Sequence, residues 1–209
     1  MTTRRENMKG VFSFARHVII VCAIVSLCSG CSSISVKHHA VGIIPPLCRT
    51  DAPKDRVVVY WGAAWRADQK EVSVREALAA ESIAEFFGSN PHLCFETISV
   101  SKIIAGRDAL LATDAEAIAE AKATGADKVI LIRIEELGPN LMLYLSPVLW
   151  QTMNEVFLRV RSIHTKTGLL EADVSTHWTR GGPFAVIGAS SLPTDLTGAL
   201  RAVFIGNSL

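Results

Sequence analysis

Six histidines and five cysteines among 209 residues are the groups best suited to hold a metal or attack a substrate. Their spacing is unpromising for either task. His38 and His39 are adjacent beside Lys37, without the third ligand at helix or hairpin spacing that a tight zinc site requires. His164 and His177 fall on two strands that should pair, so they either face each other across the hairpin or belong to a wet polar row. For nucleophilic catalysis, Gly188-Ala189-Ser190-Ser191 lacks the following glycine of a nucleophile elbow and its strand-to-helix setting. Asp108 and Asp114 flank a loop and read as turn and cap residues, and neither phosphate-binding glycine pattern occurs. No catalytic residue, metal or cofactor follows from these patterns.

A different chemistry is written at the amino terminus. Arg4, Arg5, Lys9 and Arg16 stand against the single acid Glu6, and Val18 to Leu27 follow as an apolar run, the outline of an export signal. From His17 to Gly30 a helix would reach about 21 Å, short of a hydrocarbon core of roughly 30 Å, so cleavage is expected over permanent spanning. The run ends Leu27-Cys28-Ser29-Gly30-Cys31, with Ser32 and Ser33 beyond. This segment resembles the lipobox of bacterial lipoprotein precursors, although Cys28 stands where that family prefers leucine and Leu27 lies one place early. The resemblance implies a signal peptide over residues 1–30, acylation of the Cys31 thiol, cleavage just before it, and palmitate-type chains holding the mature protein on a lipid bilayer. Ser32 in place of an aspartate implies the periplasmic face of the outer membrane, with the inner membrane as the other destination. An ordinary cleaved signal and an uncleaved anchor are the alternatives for the same residues.

Loss of the leader would take Cys22 and Cys28 with it and leave Cys48 and Cys94 as the free pair beside an acylated Cys31. An even count in an oxidising compartment suggests a disulfide, worth on the order of 4 kcal/mol for a loop of this length. Two unrelated cysteines, one in a loop and one in a strand, is the other reading. The leader also carries most of the basic excess behind the net charge of +1, so the mature chain is slightly acidic and has no basic block. Nucleic-acid binding therefore has no electrostatic footprint.

The elements that would position these groups begin after a stretch rich in serine and proline. Residues 31–55, with Pro45, Pro46 and Pro53, show no sustained period and read as a lipidated amino terminus and a flexible tether, able to span at most about 85 Å. Residues 56–209 then read as one periplasmic domain. Arg56 to Trp61 is a buried strand, and Ser73 with Glu76 has the spacing of a capping box ahead of a helix striped by Ala79, Ile83, Phe86 and Phe87. Cys94 to Val100 is a second strand, and Thr113 with Glu116 opens an alanine-rich helix ending at Gly125. Lys128 to Glu135 and Glu155 to His164 are strands, the latter turning through Thr165 to Gly168 into a clean alternation. There Leu170, Ala172, Val174, Thr176 and Trp178 point one way, and Glu171, Asp173, Ser175 and His177 the other. Thr194 or Asp195 can cap a last helix with Leu196, Leu200 and Val203 on its stripe.

The order is β-α-β-α-β-β-β-α, an α/β fold with a single mixed sheet and helices on one face. Leu141 to Trp150 is too apolar for an ordinary loop. Either it folds into the core, or it presents Leu143, Tyr144, Leu149 and Trp150 to a partner or membrane surface. The element order, the paired phenylalanines, the Gly125-Ala126-Asp127 entry to a central strand and the turn at Thr167-Gly168 resemble periplasmic lipoprotein domains. These are the curli-secretion channel lipoprotein, the outer-membrane activator of penicillin-binding proteins and the amino-terminal domain of the Tol propeller protein. That resemblance implies a binding or assembly module for another envelope protein, and not an enzyme. A subunit of a secretion or transport assembly with a membrane-contacting loop, and a periplasmic enzyme with an unrecognised site, are the competing classes.

Overall fold

The structure, a computed structural model, describes residues 32–48, 54–65, 67, 69–103, 114–143, 150–183 and 187–206. Six strands form one mixed sheet: β1 Ser33–Gly42, β2 Asp55–Ala63, β3 Phe95–Lys102, β4 Lys128–Leu143, β5 Trp150–His164 and β6 Leu170–Pro183. Among the described residues three helices, α1 Val72–Ser89, α2 Asp114–Ala123 and α3 Leu192–Phe204, pack on it. The order across the sheet is β1-β6-β5-β4-β2-β3, with β2 parallel to both β3 and β4 and the other pairs antiparallel.

That order corrects the expectation of helices on one face only. The chain leaves β2 through α1 to reach β3 on one side, then returns through α2 to β4 on the other side of β2. Parallel crossovers are right-handed, so reversing the direction of travel puts the two helices on opposite faces. Burial agrees: Val57, Val59, Trp61, Ile130, Ile132 and Ile134 share one core with α1 and α3, whereas Val58, Tyr60, Val129 and Leu131 share a smaller one with Ala117 and Ala121 of α2. Small residues on α2 allow its close approach to the sheet. Tyr60 lies beneath it, and burial together with the Glu120 carboxylate pushes its phenol up to about 12.

The larger core is aromatic at one end. Phe86, Phe87, Phe95 and Phe204 interlock with ring centroids 5.1–6.1 Å apart, mostly edge to face, and each full burial contributes roughly 1.5–3 kcal/mol. Trp178 fills the centre against α3, where a Cβ on Gly198 would stand 2.6 Å from the indole ring. The helix must therefore be bare at that position.

Three local expectations are replaced by other contacts. The first residue before α1 is Glu71 in the left-handed region, with no side-chain cap, and Ser73 already lies inside the helix. Glu76 is instead pinned from outside by Lys102 Nζ at 2.5 Å and Trp65 Nε1 at 3.3 Å. The Lys102 bond, foremost, holds its carboxyl below the usual range. Asp195 sits in the first turn of α3 but is buried by Arg180, and Thr194 provides no cap there either. Thr113 lies outside the described residues, and Asp114 is the first residue of α2.

The tether is corrected as well. Ser33–Gly42 pairs with β6 along its whole length, from Ser33 opposite Gly181 to Gly42 opposite Ala172. The expectation failed because an edge strand needs little apolar sequence: Val36 and Ala40 touch the core, His38 takes the place of an apolar residue between them, and Lys37 and His39 face outward. Beyond it the cis Pro45-Pro46 pair leads to Leu47 and Cys48, whose backbone amides donate to Val203 and Phe204 at 2.9 and 2.8 Å. Cys48 is joined to Cys94 by a disulfide that spans 46 residues, with Cα atoms 5.1 Å apart.

Candidate functional site

The face of the sheet opposite α1 and α3 is covered by α2 only over β2 and the start of β4. Over the rest of β4, β5, β6 and β1 it carries charged and polar side chains, because strand alternation sends every second residue of the hairpin outward. Asp173 and His177 stand there as predicted, whereas a bulge in β6, between the pairs Ser162–Ala172 and Ile163–Leu170, turns Glu171 to the other side, where it meets Lys128 and Ser162. Register decides their partners. His177 lies opposite Phe157 and not His164, which is paired in register with Lys128, so the two histidines do not face each other. Its Nε2 meets Glu155 Oε1 at 2.5 Å, and the imidazole meets the Phe157 ring edge to face at 5.9 Å.

Further along the strands the charges are paired crosswise. Arg159 donates two parallel bonds to Asp173, at 2.7 and 2.5 Å, and Arg161 stands 3.9 Å from the same carboxylate. The Arg159 bonds hold the Asp173 carboxyl below its ordinary value against partial burial. On the helix-covered side, at the end of the sheet, Lys128 bridges Asp55 and Glu171 at 2.8 and 2.9 Å. Burial pulls its ammonium down, but the two carboxylates more than offset that and leave it raised.

Where β4 leaves the cover of β2, a bulge interrupts its pairing with β5: Ile134 lies opposite Leu158, and Glu136 opposite Phe157. One extra residue changes the parity of the strand, so Glu135 and Glu136 both reach the open face while Ile134 and Leu137 both stay in the core. The result is an open depression of about 450 Å³ lined by Ala64, Arg133, Glu135, Glu136, Glu155, Phe157 and His177. Three carboxylates, one guanidinium and an aromatic edge suit a basic or mixed-charge group. Arg133 Nε lies 3.3 Å from Glu135, so the guanidinium of the lining is already partly neutralised. The sequence carries one trace of this: apolar Ile134 and Leu137 are three apart where alternation demands two.

The other sequence candidates are dispersed. His38 points to the core side, where its Nδ1 meets Thr176 Oγ1 at 2.9 Å and burial lowers its pKa, whereas His39 points to the charged face near Asp173. Adjacent strand residues cannot close on one metal, and among the described residues no group of three or more His, Cys, Asp or Glu is placed to hold an ion. Ser191 Oγ is engaged by Asn154 Nδ2 at 2.7 Å and by the Gly188 carbonyl at 2.9 Å, which makes it structural. Ser99 and Lys102, which are not among the sequence candidates, have the S-x-x-K spacing of some acyl-enzyme nucleophiles, but on a strand they project to opposite faces. Cys31, Tyr144, Leu149 and Asp108 lie outside the described residues. Leu143 and Trp150 are strand residues paired with each other, at the last described residue of β4 and the first of β5.

A buried polar cluster has no counterpart among the sequence candidates. Asn154, fully buried, donates to Asp195 Oδ2 at 2.6 Å, and Arg180 Nε stands 2.7 Å from Oδ1 of the same residue. It fastens the start of α3 to β5 and β6 and is enclosed by the fold.

No protein-family model matches the chain, and no curated protein matches it. Among solved structures it is similar to the PelC dodecamer from Paraburkholderia phytofirmans, with a TM-score of 0.42 and 16% identity over 79% of this chain and 95% of that one. It is also similar to lipoprotein GNA1162 from Neisseria meningitidis, at 0.36 and 12% over 71% and 96%. A third is the LpoB C-terminal domain from Salmonella enterica, at 0.30 and 12% over 66% and 87%.

Proposed function

We propose that this chain is an exported lipoprotein, acylated on Cys31 and held at the periplasmic face of the outer membrane, whose α/β domain binds another component of the cell envelope and does no catalysis. The observation that carries the binding reading is the bare half of the sheet. One face is sealed by two helices, while the other displays ordered, mutually paired charges around an open acidic depression. Such pre-paired side chains are already held in place, so a partner that brings a basic group to Glu135 and Glu155 loses little further freedom on docking. Export is supported by the charged and apolar leader and by the Cys48–Cys94 bridge, which belongs to an oxidising compartment.

Two measurements test the two halves. Intact mass of the detergent-extracted protein should correspond to a chain beginning at Cys31 with acyl groups, and Cys31→Ala should lose both the adduct and membrane attachment. A photo-crosslinking amino acid at Phe157 should trap a discrete envelope partner in whole cells, and Glu155→Lys should abolish that adduct. A crosslink unaffected by the charge reversal, or none from Phe157 while one forms from exposed Val74 on α1, would overturn the assignment of the face.

A further inference from the structure

The two edges of the sheet are finished differently. β1 carries Lys37 at its middle with His39 nearby on the charged face, and a lysine on an edge strand discourages a further strand from pairing. β3, on the far edge, is bonded to β2 alone among the described residues, and its run Thr97-Ile98-Ser99-Val100-Ser101 holds no charge, proline or glycine. Successive residues of a strand turn their backbone groups to opposite sides. The Ile103 amide donates to the Trp61 carbonyl at 2.8 Å, so Ile103 and Ser101 turn theirs toward β2, whereas Val100 and Lys102 turn theirs outward. Alongside runs an open groove of about 650 Å³ lined by Phe87 and Gly88 at the end of α1, by Leu93, and by β3 itself from Phe95 to Val100. Within that stretch the Thr97 hydroxyl is buried with no hydrogen-bond partner among the described residues. Lys54 and Glu96, one charge of each sign, stand at the start of the groove, and no other charged residue lines it.

We propose that the outer edge of β3 receives an extended, uncharged segment of a partner protein, which adds a seventh strand to the sheet and lays alternate side chains in the groove. A row of free amides and carbonyls is complementary to another strand: the main chain supplies affinity, and the groove selects the side chains. The neutral run calls for a neutral occupant. The edge is also held ready. Cys94, just before it, is tied to Cys48, and Lys102 at its other end is bound by Glu76 and lies over the Trp61 ring at 5.5 Å, so little freedom is lost on docking. The bulge at Ile98, between the pairs Val57–Thr97 and Val58–Ser99, twists the edge and limits the addition to a short stretch. A second copy of this chain fits less well, given the Cys31 anchor proposed above. A two-fold pairing of β3 with itself runs the strands antiparallel and sends the two anchors to opposite ends. β1 of a neighbour standing on the same bilayer meets only the last residues of β3, because Gly42 lies in the row of Val100 while Ser33 lies in the row of Asn140, past the end of β3.

The probe is a displayed library of random linear peptides, panned on the full chain expressed with its export signal and purified in detergent. Panning should enrich uncharged sequences. In the tightest of them, N-methylation of one backbone amide at a time should weaken binding about tenfold at alternate positions and leave the intervening ones unchanged, since every second amide points at β3. On the protein side, Ser99→Lys gives β3 the charge that guards β1 and should abolish binding. Val100→Pro should abolish it too, and because the Val100 amide points outward that change removes no bond to β2. Failure to enrich any peptide, peptides indifferent to N-methylation, or binding that survives both variants would overturn the proposal, and the peptide scan decides it even where a variant fails to fold. Slow hydrogen exchange at the Val100 and Lys102 amides of the monomeric chain alone would overturn it in favour of a covering supplied by the chain itself. Slow exchange that appears only as the chain sediments as a dimer would overturn it in favour of a second copy.

Discussion

The two faces of the sheet are built from the same strands and obey different rules. On the helix-covered face, residues such as Leu158, Val160, Val174 and Phe204 are almost wholly buried, and their worth lies in shape and area. On the other, Arg159 holds Asp173 and His177 holds Glu155 across strands, and these side chains remain partly exposed. Exposed ion pairs contribute little to stability, typically about 0–1 kcal/mol, because water competes for both partners. The difference teaches that the second face can change its chemistry without endangering the fold. A surface free in that way is where binding specificity can reside, and the comparison can be broken by measurement.

The largest effects belong to the sealed face. Phe204→Ala should lower stability by about 3–5 kcal/mol in urea unfolding, since it removes the ring on which Phe86, Phe87 and Phe95 converge. Asp195→Ala should cost a comparable amount, roughly 3–5 kcal/mol, by leaving Arg180 and Asn154 without their shared carboxylate. Gly198→Ala should cost about 1–3 kcal/mol in thermal unfolding, because the new methyl meets the Trp178 ring and neither helix nor indole has room to yield. A near-neutral result for any of these would dissolve the distinction between the faces.

The smallest effects belong to the charged face and to its edge. Asp173→Asn should lower stability by less than about 1 kcal/mol at neutral pH. Its folded carboxyl lies below the unfolded value, so the difference from the native chain should persist above about pH 4 and fade as the pH falls through the lower folded value. His38 gives the contrasting sign on the core side. Burial depresses its folded pKa, so the unfolded chain takes up the proton first; stability should be constant above about pH 6.5 and decline below it, and His38→Gln should flatten that decline. Urea titrations at neutral and mildly acidic pH read the His38 effect, and a further series below about pH 4 reads that of Asp173.

Much of this was legible in the residues, and the losses have physical reasons. β2 announces itself because Val57 to Trp61 is buried on both sides, and α1 because Ala79, Ile83, Phe86 and Phe87 keep a helical stripe. The wet row on β6 is plain because one face meets water and the other a core. β1 is hidden by its edge position, where half of the backbone and most of the side chains stay solvated. The side on which α2 packs could not be read from α2 at all; it follows from strand order and handedness, which no local pattern contains. The acidic depression depends on a single extra residue at Glu135, and the Asn154–Asp195–Arg180 cluster joins residues that only the folded sheet brings together.

The pairing of β1 has a mechanical meaning. A protein held by its amino terminus bears any outward pull on its partner through the residues next to the anchor. With the anchor proposed at Cys31, that load would enter at Ser33 and run lengthwise along a strand bonded to β6 through ten residue pairs. All of those pairs are strained together in shear, whereas a strand pulled sideways would open one pair at a time like a zip. The segment after β1 is stapled in turn through Cys48 to Cys94, at the start of the strand on the far edge of the sheet. With Cys31 acylated as proposed, the stretch next to it would be a handle braced across the domain, fit to pass tension between a bilayer and a partner held by the charged face.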